Sequence, residues 1–186
     1  MTPHERQDRT IVLVGLMGVG KTSIGRRLAS ALGLGFRDAD AEIERAAGCS
    51  VADIFTERGE AEFRDGERRV IARLLAEPPH VLATGGGAFV QDDTRALIQT
   101  QGLSVWLRAE LPVLARRIAR KHTRPLLVGR DPLDVLRTQA AARYPAYAEA
   151  HLTVDTGEGA HGAAVAAVLD ALARRRAAGD VAEAHA

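Results

Sequence analysis

Thr10-Ile11-Val12-Leu13-Val14-Gly15-Leu16-Met17-Gly18-Val19-Gly20-Lys21-Thr22 decides the fold. Its first five residues form an apolar run rich in β-branched side chains, which predicts a buried strand. The remainder matches G-x-x-x-x-G-K-[ST]. From Lys21 to Leu32 the chain places Ile24, Leu28, Ala31 and Leu32 on one face of a predicted helix, and Gly33 and Gly35 stop it. A strand, a glycine loop and a helix in that order wrap backbone N–H groups around phosphates and add the positive end of the helix. A chance match in a chain this long is about a 1% event at average residue usage. The dinucleotide pattern G-x-G-x-x-G fails, because Ser23 stands where its third glycine belongs. The phosphate-binding set is therefore Gly15, Gly18, Val19, Gly20, Lys21, Thr22 and Ser23. Lys21 is placed to reach β- and γ-phosphates, and the Thr22 hydroxyl to face Mg²⁺.

Outward from this motif, strands and helices alternate. Strands are predicted at Leu34–Asp38, His80–Thr84, Leu103–Leu107 and Leu152–Asp155. Helices are predicted over Asp40–Ala47, from a Ser50/Asp53 capping box onward, over Glu60–Ala76, Asp92–Gln101 and Pro112–Arg120, from Pro132 to about Ala142, and from His161. The tail from Ala177 has little to bury and is expected to fray. Such alternation implies a three-layer α/β/α domain with a five-stranded parallel sheet and right-handed crossovers. The whole chain, 1–186, reads as a single domain. Ligands of such sheets bind beyond the carboxyl ends of the strands.

Composition narrows the partners. The net charge of +1 gives no global pull toward nucleic acid or membrane. No apolar run reaches the roughly 18 residues of a membrane span, and the first ten residues lack the apolar stretch of a signal peptide. Cys49 is the sole cysteine, so an intrachain disulfide is excluded. These features lead us to expect a cytoplasmic protein, and the lack of a heptad or interface stripe makes a monomer the default. Of 25 basic residues only Lys21 and Lys121 are lysine, so Arg richness alone says little.

Several groups fall where ligands should sit. No Asn occurs anywhere, which removes the Asn-Lys-x-Asp guanine reader of GTPases. The third strand ends in Gly85-Gly86-Gly87 rather than an Asp, unlike most motor-type ATPases. A small kinase acting on a small molecule is the natural class. Asp38-x-Asp40 follows the second strand; one carboxylate suits a Mg²⁺ shell and the other a substrate hydroxyl, although acids also gather at helix starts for the dipole alone. Arg64 and Glu67 are neighbours at i, i+3, so Glu67 can orient a guanidinium fork for a carboxylate; as an isolated pattern this is equally an exposed ion pair. The three glycines allow a substrate to lie against backbone N–H groups. Residues 116–130 hold Arg116, Arg117, Arg120, Lys121, Arg124 and Arg130 with no acid, which suits a lid with one Arg reaching the transferred phosphoryl group, or a solvated basic face. His4, His80, His122, His151 and His185 show no metal-ligand spacing.

Taken together, these pieces resemble the shikimate kinase family over about residues 10–172. The most specific stretch runs from Arg64 and Glu67 through Val81-Leu82 to Ala83-Thr84-Gly85-Gly86-Gly87-Ala88-Phe89; Asp38-x-Asp40-x-x-Ile43-Glu44 and Thr123-Arg124-Pro125-Leu126-Leu127 also look like family motifs. The resemblance implies phosphorylation of shikimate by ATP, on the route to chorismate and the aromatic amino acids. It implies that Lys21 and Arg124 stabilise charge on the transferring phosphoryl group, that Thr22 and Asp38 hold Mg²⁺, and that Asp40 binds the shikimate hydroxyls and is the candidate base. Arg64 and Arg143 would hold the carboxylate, with Gly86 and Gly87 supplying backbone contacts and Arg117 packing on adenine. A substrate-binding subdomain of about residues 39–67 and a lid of about 119–131 are implied as well. Arg143-Tyr144-Pro145 reproduces the family's Arg-x-Pro. Where some members place a Pro opposite the adenine-packing Arg, this chain reads Thr156-Gly157-Glu158-Gly159-Ala160-His161. The rival readings are another kinase of this fold, such as a gluconate kinase, and a non-catalytic ATP-binding relative.

Overall fold

A computed structural model describes residues 8–120, 131–157, 159 and 161–183. Strand β1 (Thr10–Val14) is followed by α1 (Lys21–Leu32), β2 (Gly35–Asp38), α2 (Ala39–Ala47), α3 (Val51–Leu75) and β3 (His80–Ala83). After a 3₁₀ turn at Ala88–Val90 come α4 (Asp92–Gln101), β4 (Gly102–Arg108), α5 (Leu111–Ala119), α6 (Pro132–Tyr147), β5 (Leu152–Asp155) and α7 (His161–Glu183). Arg124 and all but the ends of the expected lid lie outside the described residues.

The five strands are all parallel in the order β2-β3-β1-β4-β5. Every residue of β1 is buried, as a central strand covered on both faces requires. The chain leaves β1 for β2 in one direction and crosses from β3 to β4 in the other. With right-handed crossovers, α1 and α4 therefore fall on opposite faces, and the strand order reverses around β1. The loop after β1 thus opens into the crevice between the β3 and β4 ends. Ile11, Leu13, Leu28, Ile71, Leu82, Val105 and Leu107 join one continuous core around it.

Three departures from the sequence reading have local causes. The Ser50 capping box is formed, with Ser50 and Asp53 exchanging side-chain and backbone bonds. The helix it starts meets the longer one at Gly59, whose φ of 83° and ψ of 173° put a kink inside α3. Helix α6 passes through Pro145 to Tyr147 instead of stopping near Ala142. A proline this close to a C-terminus removes one backbone bond but leaves only one further turn to support. Helix α7 runs to Glu183, past the expected fraying point at Ala177; its alanines and arginines are strong helix formers.

Candidate active site

Folding brings the glycine loop, the β2 end and the β3 end around one cleft of about 760 Å³. Lys21, Thr22, Asp38, Asp40, Gly85 and Arg117 are among its walls. Gly15, Gly18 and Gly20 all have positive φ, of 144°, 82° and 95°. A side chain at Gly15 would put its Cβ 2.5 Å from the Leu107 carbonyl oxygen. The loop thus needs glycine for its backbone and for its approach to the sheet. Gly20 caps α1 without any side-chain hydrogen bond, which leaves the helix N-terminus without a competing side-chain acceptor. Lys21 Nζ donates to the carbonyls of Gly15 (2.7 Å) and Leu16 (3.2 Å), within the curve of the loop. Val19 is buried behind it.

Thr22 Oγ1 donates to Asp38 Oδ2 at 2.8 Å, and the other Asp38 oxygen accepts the Asp40 N–H at 3.2 Å while capping α2. A hydroxyl and a carboxylate side by side are hard oxygen donors suited to Mg²⁺. Among the described residues no group of three His, Cys, Asp or Glu could enclose an ion. Such a site fits a cation that takes most of its remaining oxygens from phosphates and water.

Two arginines gather at the glycines that follow β3. Arg64 Nη1 donates to Glu67 Oε2 at 2.7 Å, and Glu60 takes a second bond at 3.2 Å. Glu67 is buried, so this is no surface pair: the guanidinium is locked from below. Cation–π contacts with Phe63 (5.0 Å) and Phe55 (5.9 Å) fix its plane further. A Cβ on Gly87 would collide with the Arg64 guanidinium, and one on Gly86 would lie 2.7 Å from Arg143 Nη1. The two arginines therefore reach the same Gly86–Gly87 segment, and only glycine leaves room for them.

Two carboxylates meet at Gly85, the first of the three glycines. A Cβ on Gly85 would lie 2.9 Å from Asp40 Oδ1 and 3.1 Å from Glu67 Oε1, and the latter oxygen has no hydrogen-bond partner. Desolvation by the cleft walls raises the Asp40 pKa, with Asp38 adding to the rise and Lys21 opposing it. Burial raises Glu67 as well, against the pull of Arg64. A carboxylate tuned upward beside a phosphate loop is suited to accept a proton from an alcohol.

Arg117 extends from α5 across to the loop after β5, where Nη2 donates to the Gly157 carbonyl at 2.6 Å. With Val19, Thr156, Gly159 and His161 it lines a small pocket of about 80 Å³ behind the phosphate loop. Ser23, Thr22 and Gly18 line the main cleft with it. Three contributors escaped the motif reading. Phe55 stands 37% exposed over the Phe63 ring, 4.4 Å between centroids. His161 lines both cavities from the start of α7. Tyr147 bonds the Gly86 carbonyl. For Tyr147 a signal existed, since it follows Arg143 by one helical turn.

Comparison with known proteins gives the family and the fold. The family model described as "Shikimate kinase" matches residues 17–173. A protein named shikimate kinase from Caulobacter vibrioides (strain NA1000 / CB15N) is 66% identical over 164 residues, covering 88% of this chain and 82% of that protein. The solved shikimate kinase from Acinetobacter baumannii, in complex with shikimate, superposes with a TM-score of 0.84 at 39% identity, covering 90% of this chain and 94% of that one. A gluconokinase from Sinorhizobium meliloti superposes with a TM-score of 0.65 at 23% identity, covering 91% and 94%; that likeness shows the fold alone.

Proposed function

The chain belongs to the shikimate kinase family, and from that premise we propose how its residues carry the reaction. ATP phosphorylates the 3-hydroxyl of shikimate, giving ADP and shikimate 3-phosphate on the route to chorismate and the aromatic amino acids. The observation that carries the assignment is the pair of arginines converging on Gly86–Gly87, next to the Gly85 that Asp40 approaches and at the edge of the cleft that the glycine loop lines. An acceptor with a carboxylate at one end and hydroxyls at the other spans that arrangement.

In this reading Arg64 and Arg143 hold the shikimate carboxylate, with Gly86 and Gly87 closing on the ring through backbone contacts. The locked fork of Arg64 fixes the distance from carboxylate to hydroxyl, which is the positioning that phosphoryl transfer needs. The loop N–H groups, the α1 N-terminus and Lys21 hold the β- and γ-phosphates. Thr22 and Asp38 would hold Mg²⁺, whose charge neutralises the phosphate oxygens when it is bound. Asp40 orients the 3-hydroxyl and takes its proton as the oxygen–phosphorus bond forms and the bond to the ADP oxygen breaks. Arg117 packs on the adenine, and Arg124 would add charge at the transferred group. The subdomain of about residues 39–67 and the lid of about 119–131 are part of this proposal. So is a monomer in the cytoplasm, supported by the single cysteine and by the fact that, among the described residues, no helix is long and apolar enough to cross a membrane.

Lys21→Met and Asp40→Asn separate an enzyme from a binder. Each should lower turnover by about 10²-fold or more, and Asp40→Asn should leave ATP affinity close to that of the unaltered protein. Full turnover in Asp40→Asn would overturn the role given to Asp40.

A further inference from the structure

Tyr147 occupies a position that the roles above leave unused. It is fully buried, yet its hydroxyl reaches out of the core to donate to the Gly86 carbonyl at 2.5 Å. The Arg143 guanidinium, one turn earlier on α6, lies beside the same glycine and acts electrostatically on the phenol. Measured from the point where a Cβ on Gly86 would stand, Arg143 Nη1 is 2.7 Å away and the Tyr147 hydroxyl 3.7 Å. The phenol therefore holds a backbone carbonyl of the glycine turn at the very residue against which an arginine of the anion clamp is set.

The ring that carries this hydroxyl has little freedom. Trp106 packs against it with centroids 5.8 Å apart, and Tyr144 lies 6.4 Å away. Trp106 itself belongs to β4, so the hydroxyl is referenced to the sheet and not only to α6. Burial, opposed by Arg143, pushes the Tyr147 pKa up to about 12, so the group remains a neutral donor across the working pH range.

Peptide geometry turns that bond into an effect on ligand. In a trans peptide the C=O of one residue and the N–H of the next point in opposite directions. Holding the Gly86 carbonyl toward Tyr147 therefore aims the Gly87 N–H the other way. Gly87 is the residue against which Arg64 is pressed, and Gly86 the one against which Arg143 is pressed. Two adjacent glycines offer the backbone many alternative orientations, and nothing in their own chemistry selects one.

We propose that Tyr147 is the positioning residue of the acceptor carboxylate clamp, setting the Gly86–Gly87 peptide and the Arg143 guanidinium in one geometry. It acts through those groups and does not touch the reacting atoms. The proposal rests on the assignment of Arg64 and Arg143 to the carboxylate.

The test compares shikimate with its methyl ester, which keeps the hydroxyls but lacks the anionic charge, in wild type and in Tyr147→Phe. Wild type should prefer the acid, which checks the clamp itself. In Tyr147→Phe the KM for shikimate should rise about five- to tenfold, the net worth of one neutral buried hydrogen bond. Turnover and the KM for ATP should stay within about twofold, as expected for sites that share no partner, and the KM for the ester should rise by clearly less than that for the acid. Because removing a buried hydroxyl also lowers stability, p-aminophenylalanine at 147 serves as a second variant: it restores an N–H donor and should recover most of the lost affinity. Wild type that does not distinguish acid from ester would sink the clamp assignment. Wild type that does distinguish them, with Tyr147→Phe weakening both substrates equally or lowering turnover alone, would leave the clamp standing and overturn the role of Tyr147.

Discussion

Gly87→Ala separates substrate binding from folding more cleanly than any other change in this site. Gly87 has a φ of −97°, so alanine meets no backbone strain there. The added Cβ would lie 2.8 Å from both Cζ and Nη1 of Arg64, and closer still to Nη2. Ordinary carbon contacts begin near 3.5 Å, so the guanidinium has to retreat by at least roughly 0.7 Å, and its Nη2 by more. Its retreat is opposed by the 2.7 Å bond to buried Glu67, which leaves the fork displaced and tilted rather than free to repack. A displacement of that size exceeds the ~0.5 Å tolerance of a preorganised site. Loss of one charge-assisted interaction with the carboxylate is worth about 1.5–3 kcal/mol, or about ten- to a hundredfold in the KM for shikimate. Since the clash falls on the far end of a flexible side chain, global stability should drop by less than about 1.5 kcal/mol. Initial rates with shikimate varied at saturating ATP, the converse experiment and a thermal melt together read all three quantities. An unchanged KM for shikimate, or an equal rise in both KM values, would refute the argument that Arg64 is set against this glycine to hold the acceptor.

Glu42 tests the electrostatics away from the cleft. Burial raises its pKa, but hydrogen bonds from Arg73 and Arg45 outweigh that and hold the carboxylate below its ordinary range. A lowered folded pKa contributes stability above the unfolded value that disappears as pH falls through the folded one. Glu42→Gln should therefore cost about 1 kcal/mol near pH 7 and nothing once the pH is well below about 4; melts across that range with a constant gap would contradict the pairing. Gly59→Ala should destabilise the protein by about 1–3 kcal/mol, because alanine is strained in the kink whatever the space around it; a higher Tm would mean that the kink is not required. Arg117→Ala should raise the KM for ATP and leave that for shikimate in place, and the reverse pattern would remove Arg117 from the nucleotide site.

Much of this was legible in the chain because single residues carry unambiguous constraints. Gly15 through Thr22 admit few backbone paths, and the alternation of β-branched runs with amphipathic stretches leaves little choice but a parallel sheet. Asp38 and Asp40 were legible because they follow a strand, and the pairing of Arg64 with Glu67 because a helix fixes what i and i+3 can do. What escaped depends on contacts far apart in sequence. Tyr147 sits 61 residues from the Gly86 carbonyl that it holds, and its helix crosses a proline that local rules treat as a stop. Phe55 owes its place over Phe63 and Arg64 to the kink at Gly59, which no periodicity announces. His161 enters the cleft because α7 begins behind the glycine loop, where its ring comes 3.4 Å from the site of a Cβ on Gly20. The 3₁₀ turn at Ala88–Val90 is too short for any pattern to mark.

The central claim is that this cleft transfers phosphate from ATP to shikimate. A coupled ADP-release assay with ATP and Mg²⁺, run in parallel with shikimate, gluconate and no acceptor, tests it most directly. ADP release that depends on shikimate and is absent with gluconate or without acceptor is the predicted result. Folded, ATP-binding protein that releases no ADP in response to shikimate would contradict it.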